Sequence, residues 1–424
     1  MSKNLIHSQE FKERHRQAKK YFSRERLLTF PIVMLLLLQK SAKSVQLVLN
    51  EMCLKLKLPL LSSSAFTQAR AHLKHTAFIE LNQKAVVEIM YQDGQYERYQ
   101  SMRLLAIDGS KIYLPREAAL IAEFGGTAKN QQDQTLYPVG LISVMYDVLN
   151  HVALDSQLAP GKAYEGNLAL GHLEHTQAGD LLLFDRNYPS YQLLAALVHH
   201  KCHFVARCSQ VSFKTARQMF AGQGPDSQIV TLKPHQTHRS KLVQQGLPAE
   251  IRVRFVRIML TTGEMEILVT SLLDEQQFLT ADFGPLYFRR WGCETFYDLL
   301  KSRLQLENFT GRTVAAVKQD FYATIYISGL ETLLTAETNQ QLQAKVETNL
   351  YAQKVNQAVS FNAIKNHVFE LLYLEPDEDQ LLARLQQLFL TKPTCIRPAR
   401  SVPRPKFSAP RRLNYHKRSK KVIF

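Results

Sequence analysis

The sequence is poor in cysteine, and the five cysteines it has are scattered along 424 residues. They are Cys53, Cys202, Cys208, Cys293 and Cys395. An odd number without regular spacing argues against the disulfide frameworks that stabilise small secreted domains. The pattern is typical of a reducing compartment, so we expect a cytoplasmic protein.

Long apolar runs are also missing. The most apolar stretch, FPIVMLLLL at residues 30–38, is well short of the roughly 20 residues that span a bilayer. Basic residues flank it on both sides and no small-residue cleavage site follows, so it does not read as a secretory signal. We interpret the stretch as a buried helix and expect no membrane partner.

Acidic residues are outnumbered, since 37 Asp and Glu face 53 Lys and Arg and give a formal net charge of +16. Basic residues crowd the first 26 positions, and residues 381–424 carry Lys and Arg but no acid. Nucleic acid is the expected polyanionic partner, because neutralising its phosphates releases counterions.

The hydrophobic period changes along the chain and predicts six segments. A basic helical region at 1–95 precedes a first core part at 96–208, a β-rich insertion at 209–280 and a second core part with a motif helix at 281–335. C-terminal helices at 336–390 and a basic tail at 391–424 complete the chain. Strands followed by alternating helix and strand predict an α/β fold with a mixed sheet.

A serine-capped helix at residues 62–73 carries Arg70. Two interpretations stay open for this side chain. It either contacts DNA or belongs to a solvated basic face.

Two aspartates follow apolar strand patterns. MRLLAIDGSKIYLP, from residue 102, predicts a strand ending at Asp108, a glycine turn and a second strand, and DLLLFD predicts a strand ending at Asp185. Ligands of open α/β sheets gather at such strand ends. An Asp at a strand end is also common in ordinary turns, so neither residue identifies a site alone.

A third acid lies in YFRRWGCETFYDLLK, residues 287–301. On a single helix, Tyr287, Arg290, Glu294 and Lys301 project within about 60° of one another, opposite an apolar face. The stretch therefore predicts a helix that presents an acid flanked by cations and a phenol. The simpler alternative is that Arg290 and Glu294 form an ordinary surface ion pair.

Three carboxylates that converge repel one another unless cations neutralise them, so Asp108, Asp185 and Glu294 together predict bound divalent metal. We expect two Mg²⁺ ions, with Mn²⁺ able to substitute. Such a pair activates a water or a 3′-hydroxyl and stabilises the leaving oxygen of an in-line phosphoryl transfer. Arg290 and Lys301 would then grip neighbouring phosphates.

The four residues Tyr287, Arg290, Glu294 and Lys301 match the pattern Y(2)R(3)E(6)K, and in this the sequence resembles the insertion-sequence DDE transposases often called the fourth insertion-sequence family. The order of first Asp, second Asp in FDRNYPS, β-rich insertion and signature Glu is also similar to that family. The resemblance implies an RNase H-like catalytic core with Asp108, Asp185 and Glu294 as the metal-binding triad. It further implies that Tyr287, Arg290 and Lys301 contact the DNA of the transposon end.

The same resemblance implies a function. Metal-activated water cuts at the element ends, and the freed 3′-hydroxyl attacks double-stranded target DNA. It also implies a homodimer in the synaptic complex, association with the nucleoid and end binding by the helical region at 1–95.

Two other functions remain open at this point. One is a transposase-derived DNA-binding protein without catalysis, and the other is a metal-dependent phosphohydrolase of small phosphoesters. The three acids argue against the first, and the basic charge at both ends of the chain argues against the second.

Overall fold

A computed structural model describes residues 1–24, 26–41, 43–128, 135–260, 263–344, 350–374 and 377–396. The predicted basic tail lies outside the described residues from position 397 onward. The chain divides into two compact units, the first made of Met1–Asp93, Ile112–Gly140 and Asp298–Phe424 and the second of Gly94–Lys111 and Leu141–Tyr297. The division into six segments stays a prediction.

Helices and strands are numbered in chain order. The helices are α1 (Ser2–His7), α2 (Gln9–His15), α3 (Phe30–Leu38), α4 (Val45–Lys55), α5 (Ser63–Arg70), α6 (Thr76–Asn82), α7 (Glu88–Gln92), α8 (Ala118–Phe124), α9 (Glu165–His172), α10 (Tyr191–His199), α11 (Lys214–Phe220), α12 (Gln236–Gln244), α13 (Phe283–Phe288), α14 (Trp291–Asp298), α15 (Val314–Ala344), α16 (Gln357–Asn366), α17 (Val368–Leu372) and α18 (Glu378–Leu390). The strands are β1 (Leu104–Tyr113), β2 (Gly126–Thr127), β3 (Tyr137–Asp147), β4 (Val152–Pro160), β5 (Leu181–Phe184), β6 (His203–Arg207), β7 (Ser227–Leu232), β8 (Ile251–Met259), β9 (Met265–Thr270), β10 (Gln353–Lys354) and β11 (Thr394–Cys395). Within the described ranges, no helix combines the length and apolar character needed to cross a membrane.

The first unit is built around α15, which is buried on most of its sides. A Cβ added at Gly329 would lie 2.4 Å from Cγ1 of Val86, so only glycine lets α15 pack this closely against the π-helical turn at Gln83–Val87. The stretch at residues 30–38 forms α3 and is almost wholly buried, as its apolar composition predicts. Thr29 caps its first turn through the backbone N–H of Ile32.

A nine-stranded mixed sheet runs in the order β2-β3-β1-β5-β6-β9-β8-β7, with β4 paired to β3. Strands β1, β5 and β6 are parallel to one another. Strands β6 and β9, β9 and β8, and β8 and β7 pair in antiparallel fashion. The sheet confirms the predicted α/β class.

The range 209–280, predicted to be a β-rich insertion, contains strands β7, β8 and β9, and its role as an insertion stays a prediction. The structure adds two short helices, α11 and α12, that the sequence pattern did not indicate. Because β9 pairs with β6, the inserted strands extend the main sheet.

The predicted strand–turn–strand around Asp108 is wrong, because β1 continues without interruption through Asp108 and Gly109. Aspartate followed by glycine is a common turn signal. In this strand glycine is required by packing and not by a turn, since a Cβ at position 109 would lie 2.7 Å from Oε1 of Glu165.

Both interpretations of Arg70 are also wrong. Its side chain is only 3% exposed, and Nη2 lies 3.0 Å from Oδ1 of Asp320, which is fully buried. The guanidinium also donates to Gln319, Thr310 and the carbonyl of Ala316. Arg70 therefore fixes α5 to α15 inside the first unit and is not available to DNA.

Replacing Arg70 with Met is expected to destabilise the protein by about 3–5 kcal/mol, because the carboxylate of Asp320 would be left buried without its cation. Urea unfolding followed by circular dichroism measures this. Arg312→Met is the matched control, since Arg312 is 67% exposed in its ion pair with Glu117. A loss no larger than that of the control would show that the buried pair does not stabilise the unit.

Candidate active site

Asp108 and Asp185 stand side by side on neighbouring parallel strands. Ile107 of β1 is in register with Phe184 of β5, and each aspartate is the next residue along its chain. Asp185 directly follows β5, as predicted. Its Oδ1 atom is buried and has no hydrogen-bond partner among the residues that the structure describes.

The segment at 287–301 is not the single helix that its periodicity predicts. Helix α13 ends at Phe288, and α14 begins at Trp291. Tight bonds span the junction, since the N–H of Arg290 donates to the carbonyl of Tyr287 and the N–H of Cys293 to that of Arg290. Phe288, which the projection places on the apolar face, is 70% exposed.

Close packing accompanies this break. A Cβ at Gly292 would lie 3.2 Å from Cβ of Val148, so the start of α14 rests directly on the residue that follows β3. Lys301 lies beyond α14 in the π-helical turn Leu299–Arg303, which belongs to the first unit. The structure therefore brings Tyr287, Arg290 and Glu294 together within the second unit.

Arg290 is the cation of this cluster. Its Nη2 lies 2.9 Å from Oε1 of Glu294, and its Nη1 lies 3.8 Å from Oδ2 of Asp108. The guanidinium also lies 5.6 Å from the ring of Tyr287 and 5.5 Å from that of Trp291. Because the Arg290 side chain is only 4% exposed, neither a surface ion pair nor an open phosphate grip describes it in this arrangement.

The local charges keep Arg290 ionised. Burial lowers the pKa of its guanidinium, but the negative charges of Asp185, Glu294 and Asp108 raise that pKa above its ordinary value. A guanidinium held in this way neutralises part of the negative charge that the carboxylates bring into the site.

The pKa of Asp108 shows that this arrangement disfavours its ionised form. Burial raises the pKa of its carboxyl to about 6, and the charges of Glu294 and Asp185 act in the same direction. The N–H of Gly109 and the charge of Arg290 oppose that increase. An acid that is desolvated beside like charges is typical of functional sites.

Tyr287 is 4% exposed and its hydroxyl is buried without a hydrogen-bond partner within the described ranges. Burial raises the pKa of this phenol well above its ordinary value, so the ring stays neutral. Trp291 is 38% exposed and is the more accessible aromatic side chain beside Arg290.

Asp108 and Glu294 share one guanidinium, with Asp185 beside Asp108, and the three carboxylates do not form a ready-made metal cage. Across the described ranges, no three His, Cys, Asp or Glu side chains are placed so that they could hold a metal ion. Arg290 lies against Asp108 and Glu294, where a metal ion would otherwise neutralise them.

Two residues near Asp108 were not predicted from the sequence. The hydroxyl of Tyr297 donates to the carbonyl of Asp108 at 2.5 Å and ties α14 to β1. Glu165, the first residue of α9, lies against Gly109. The sequence feature that indicates this contact is Gly109, because a glycine inside a strand often marks the close approach of another group.

A model of the transposase DDE domain family matches residues 99–328, which is more than half of the chain. The matched range contains Asp108, Asp185, Arg290 and Glu294. The chain belongs to this family. The resemblance to insertion-sequence DDE transposases is thereby confirmed.

Individual relatives of this transposase-family chain are distant. Transposase InsG for insertion sequence element IS4, from Escherichia coli K12, is 25% identical over 258 residues, which are 60% of this chain and 56% of InsG. InsZ of the same strain is 29% identical over 153 residues, which are 34% of this chain and 48% of InsZ. The chain thus spans about half the length of the curated relatives it matches.

Among solved structures, the piggyBac transposase synaptic complex with hairpin DNA is similar with a TM-score of 0.46 and 9% identity. The similarity covers 92% of this chain and 84% of that chain.

The raised pKa of Asp108 gives a test of the electrostatics. A carboxyl whose pKa is higher in the folded protein stabilises the fold at low pH and loses that contribution as the pH rises through about 6. In metal-free buffer, Asp108→Asn is therefore expected to unfold with about the same free energy as the wild type near pH 4. At pH 8 it is expected to be more stable by roughly 3 kcal/mol, from about 1.4 kcal/mol per pKa unit.

Urea unfolding at the two pH values measures this difference, and Glu174→Gln serves as an exposed control. A stability difference that does not change with pH would show that Asp108 is not held at a raised pKa.

Proposed function

We propose that the protein is a DNA transposase of an insertion sequence, which binds the element ends, cuts DNA with the help of divalent metal and transfers the 3′-hydroxyl strand. The observation that carries the proposal is that Arg290 contacts Asp108 and Glu294, with Asp185 beside Asp108 where β5 ends against β1. Three buried or half-buried acids serve no evident structural purpose there. They suit a reaction that needs oxygen ligands for metal.

An RNase H-like core is part of the proposal. The N–H of Val148 donates to the carbonyl of Leu104, and the N–H of Leu114 donates to the carbonyl of Pro138, so β1 and β3 run in opposite directions. Strands β5 and β6 run parallel to β1. Helices α9 and α10 connect the later strands. A mixed sheet with acids on two adjacent strands and a third acid on a following helix supports this core.

Asp108, Asp185 and Glu294 are proposed to hold two Mg²⁺ ions, and Mn²⁺ is expected to substitute. Carboxylate oxygens are the donors that these hard cations prefer. The partnerless Oδ1 of Asp185 and the raised pKa of Asp108 both indicate a need for further positive charge. Bound ions of this kind activate the attacking oxygen and stabilise the leaving oxygen of a phosphoryl transfer.

The chain's own groups would position the reactants. Arg290, held by the rings of Tyr287 and Trp291, is suited to meet a phosphate once metal neutralises its acidic partners. Tyr287 and Lys301 are proposed as further contacts to the transposon end. The partners proposed are end and target DNA and a second copy of the chain in a synaptic complex in the cytoplasm, associated with the nucleoid.

A groove in the first unit replaces Arg70 as the proposed surface for end binding. It measures about 610 Å³ and exposes Lys20, Arg24 and Arg26. At its side the ring of Tyr21 stacks on that of His72 with centroids 3.6 Å apart. Burial and then the charges of Lys20 and Arg26 lower the pKa of His72, which indicates a positive potential in the groove.

The two rival functions lack such support. A binding protein without catalysis would gain nothing from holding Asp108 at a raised pKa, since this lowers stability. A hydrolase of small phosphoesters would not need a separate basic groove with stacked rings, which suits a long polyanion.

The central test is cleavage of a labelled duplex that carries the element's own end. Glu294→Gln is expected to lower Mg²⁺- or Mn²⁺-dependent cutting by roughly 10³-fold or more while end binding stays nearly unchanged. Glu264→Gln, an exposed substitution in the turn between β8 and β9, is the control. Retained cutting would remove Glu294 from the triad, and binding without cutting in the wild type would favour the non-catalytic rival.

The groove has its own test in the salt dependence of DNA binding. Arg24→Gln is expected to weaken binding and to reduce the slope of log affinity against log salt by about one unit, because one phosphate contact is lost. Fluorescence anisotropy with a short duplex measures the slope. Lys84→Gln is the control, since Lys84 is exposed and paired with Glu88 in the same unit. Equal slopes in both variants would place the DNA elsewhere.

A further inference from the structure

Arg207 continues the row of charged residues that begins with the two aspartates. Ile107 of β1, Phe184 of β5 and Ala206 of β6 are in register across three neighbouring parallel strands. The residue that follows each of them is charged: Asp108, Asp185 and Arg207. Residues in register on parallel strands point to the same face of a sheet, and neighbouring strands lie about 4.8 Å apart. The backbone of Arg207 is therefore about one strand spacing from that of Asp185 and about two from that of Asp108.

A buried acid holds the Arg207 side chain. Its Nη1 lies 3.0 Å from Oε1 of Glu266 on β9, the strand that pairs with the other edge of β6. The Glu266 side chain is 8% exposed, whereas that of Arg207 is 31% exposed. Burial raises the pKa of Glu266, and the charge of Arg207 opposes that increase. The ion pair thus fixes the guanidinium in place while part of it remains accessible.

Arg207 keeps binding capacity that other arginines of this unit have already used. Arg254 is only 1% exposed and donates to two side-chain hydroxyls and one carbonyl. Arg290 lies against two acids and two aromatic rings. Among the residues that the structure describes, Arg207 has a single acidic partner. Because a guanidinium has five N–H donors, some of those of Arg207 remain for a ligand.

Tyr287 connects Arg207 with the cluster around Arg290. Burial raises the pKa of this phenol, and the charges of Arg290 and Arg207 both oppose that increase. The ring of Tyr287 also lies 5.6 Å from the guanidinium of Arg290. The two arginines therefore act on one site, Arg290 from the junction of α13 and α14 and Arg207 from β6.

We propose that Arg207 binds a DNA phosphate next to the one that is cut, on the side of Asp185 where β6 lies. The inference rests on the proposed function, because it gives the DNA strand a direction across the sheet, from β1 toward β6. The planar guanidinium matches a phosphate with two parallel N–H donors, and Glu266 holds it ready. The carboxylates of Asp108 and Asp185 repel a phosphate, so a cation beyond them stabilises the strand where it leaves the acids.

The simpler role of Arg207 is to hold β6 to β9 through its ion pair with Glu266. Cross-strand pairs of opposite charge stabilise sheets. The two roles differ in what the loss of Glu266 does. A purely structural pair is broken by replacing either partner, whereas a phosphate contact is lost only with Arg207.

The test compares Arg207→Gln, Glu266→Gln and the double variant by fluorescence anisotropy with a labelled duplex that carries the element's own end, with Ca²⁺ in place of Mg²⁺. Arg207→Gln and the double variant are expected to bind roughly ten-fold more weakly, with a slope of log affinity against log salt reduced by about one unit. Glu266→Gln is expected to bind at least as tightly as the wild type, because it releases the charge of Arg207. Lys233→Gln is the control, since Lys233 is 71% exposed in its ion pair with Glu250.

Urea unfolding of the same proteins separates stability from binding. Arg207→Gln leaves Glu266 buried without its cation and is expected to lower stability, and the double variant is expected to recover most of that loss. Recovered stability without recovered DNA binding assigns the phosphate contact to Arg207. A double variant with the affinity and slope of the wild type would overturn the inference and leave a structural ion pair. Should Arg207→Gln alone not fold, the double variant decides the question.

Neutral methylphosphonate groups locate the contact on the DNA. They replace, one at a time, the phosphates on either side of the cut bond in the same duplex. At one of these positions the replacement is expected to weaken binding by the wild type about as much as Arg207→Gln does, and to have no further effect on the double variant. Equal losses in both proteins at every position would show that Arg207 does not touch the DNA near the cut.

Cleavage of the same duplex with Mg²⁺ separates this inference from the proposed function. If the wild type binds and cuts the duplex and the Arg207 variants bind it equally well, only the inference is wrong. If the wild type neither binds nor cuts it, the proposed function fails and the inference fails with it.

Discussion

The repulsion between carboxylates where β5 ends beside β1 is the constraint on which the site depends. Asp108 and Asp185 are neighbours because β1 and β5 are parallel and in register. Desolvation makes that proximity unfavourable, and Arg290 offsets part of it by contacting Asp108 and Glu294. The buried guanidinium is in turn held against two aromatic rings, so the local fold from α13 to α14 serves to keep one cation in place.

Glycine makes the crowding around these acids possible. Gly109 admits the carboxyl group of Glu165 against β1, and Gly292 lets α14 rest on Val148. In both positions a Cβ would contact a neighbouring element too closely, although neither residue has a positive φ. These glycines are therefore explained by approach between elements and not by backbone conformation.

The sequence predicts those features of the site that arise from local periodicity. The strand-end rule located Asp185, and the spacing of residues 287–294 grouped Tyr287, Arg290 and Glu294 correctly, because residues three and four apart stay close even through a tight turn. The α/β class and the presence of strands within residues 209–280 also followed from alternation. The same reasoning missed the break between α13 and α14, since it depends on packing against Val148.

Features that depend on residues far apart in the sequence could not be predicted from local patterns. Arg70 looked like a surface cation because its partner Asp320 is 250 residues away in the sequence. Glu165 had no signal within its own segment, because the glycine that it contacts, Gly109, lies on another element. Charge patterns along a chain show which groups need a partner, but only the fold shows which partner they find.

Charge balance connects the metal-free arrangement with the proposed reaction. Three carboxylates and Arg290 carry a formal charge of about −2, which fits the raised pKa of Asp108. Two divalent cations added to three carboxylates would leave an excess of one positive charge before Arg290 is counted. The charge of Arg290 adds to this excess and would then be available to a DNA phosphate. One arginine would thus neutralise part of the acidic charge in the metal-free site and contact the DNA in the metal-bound one.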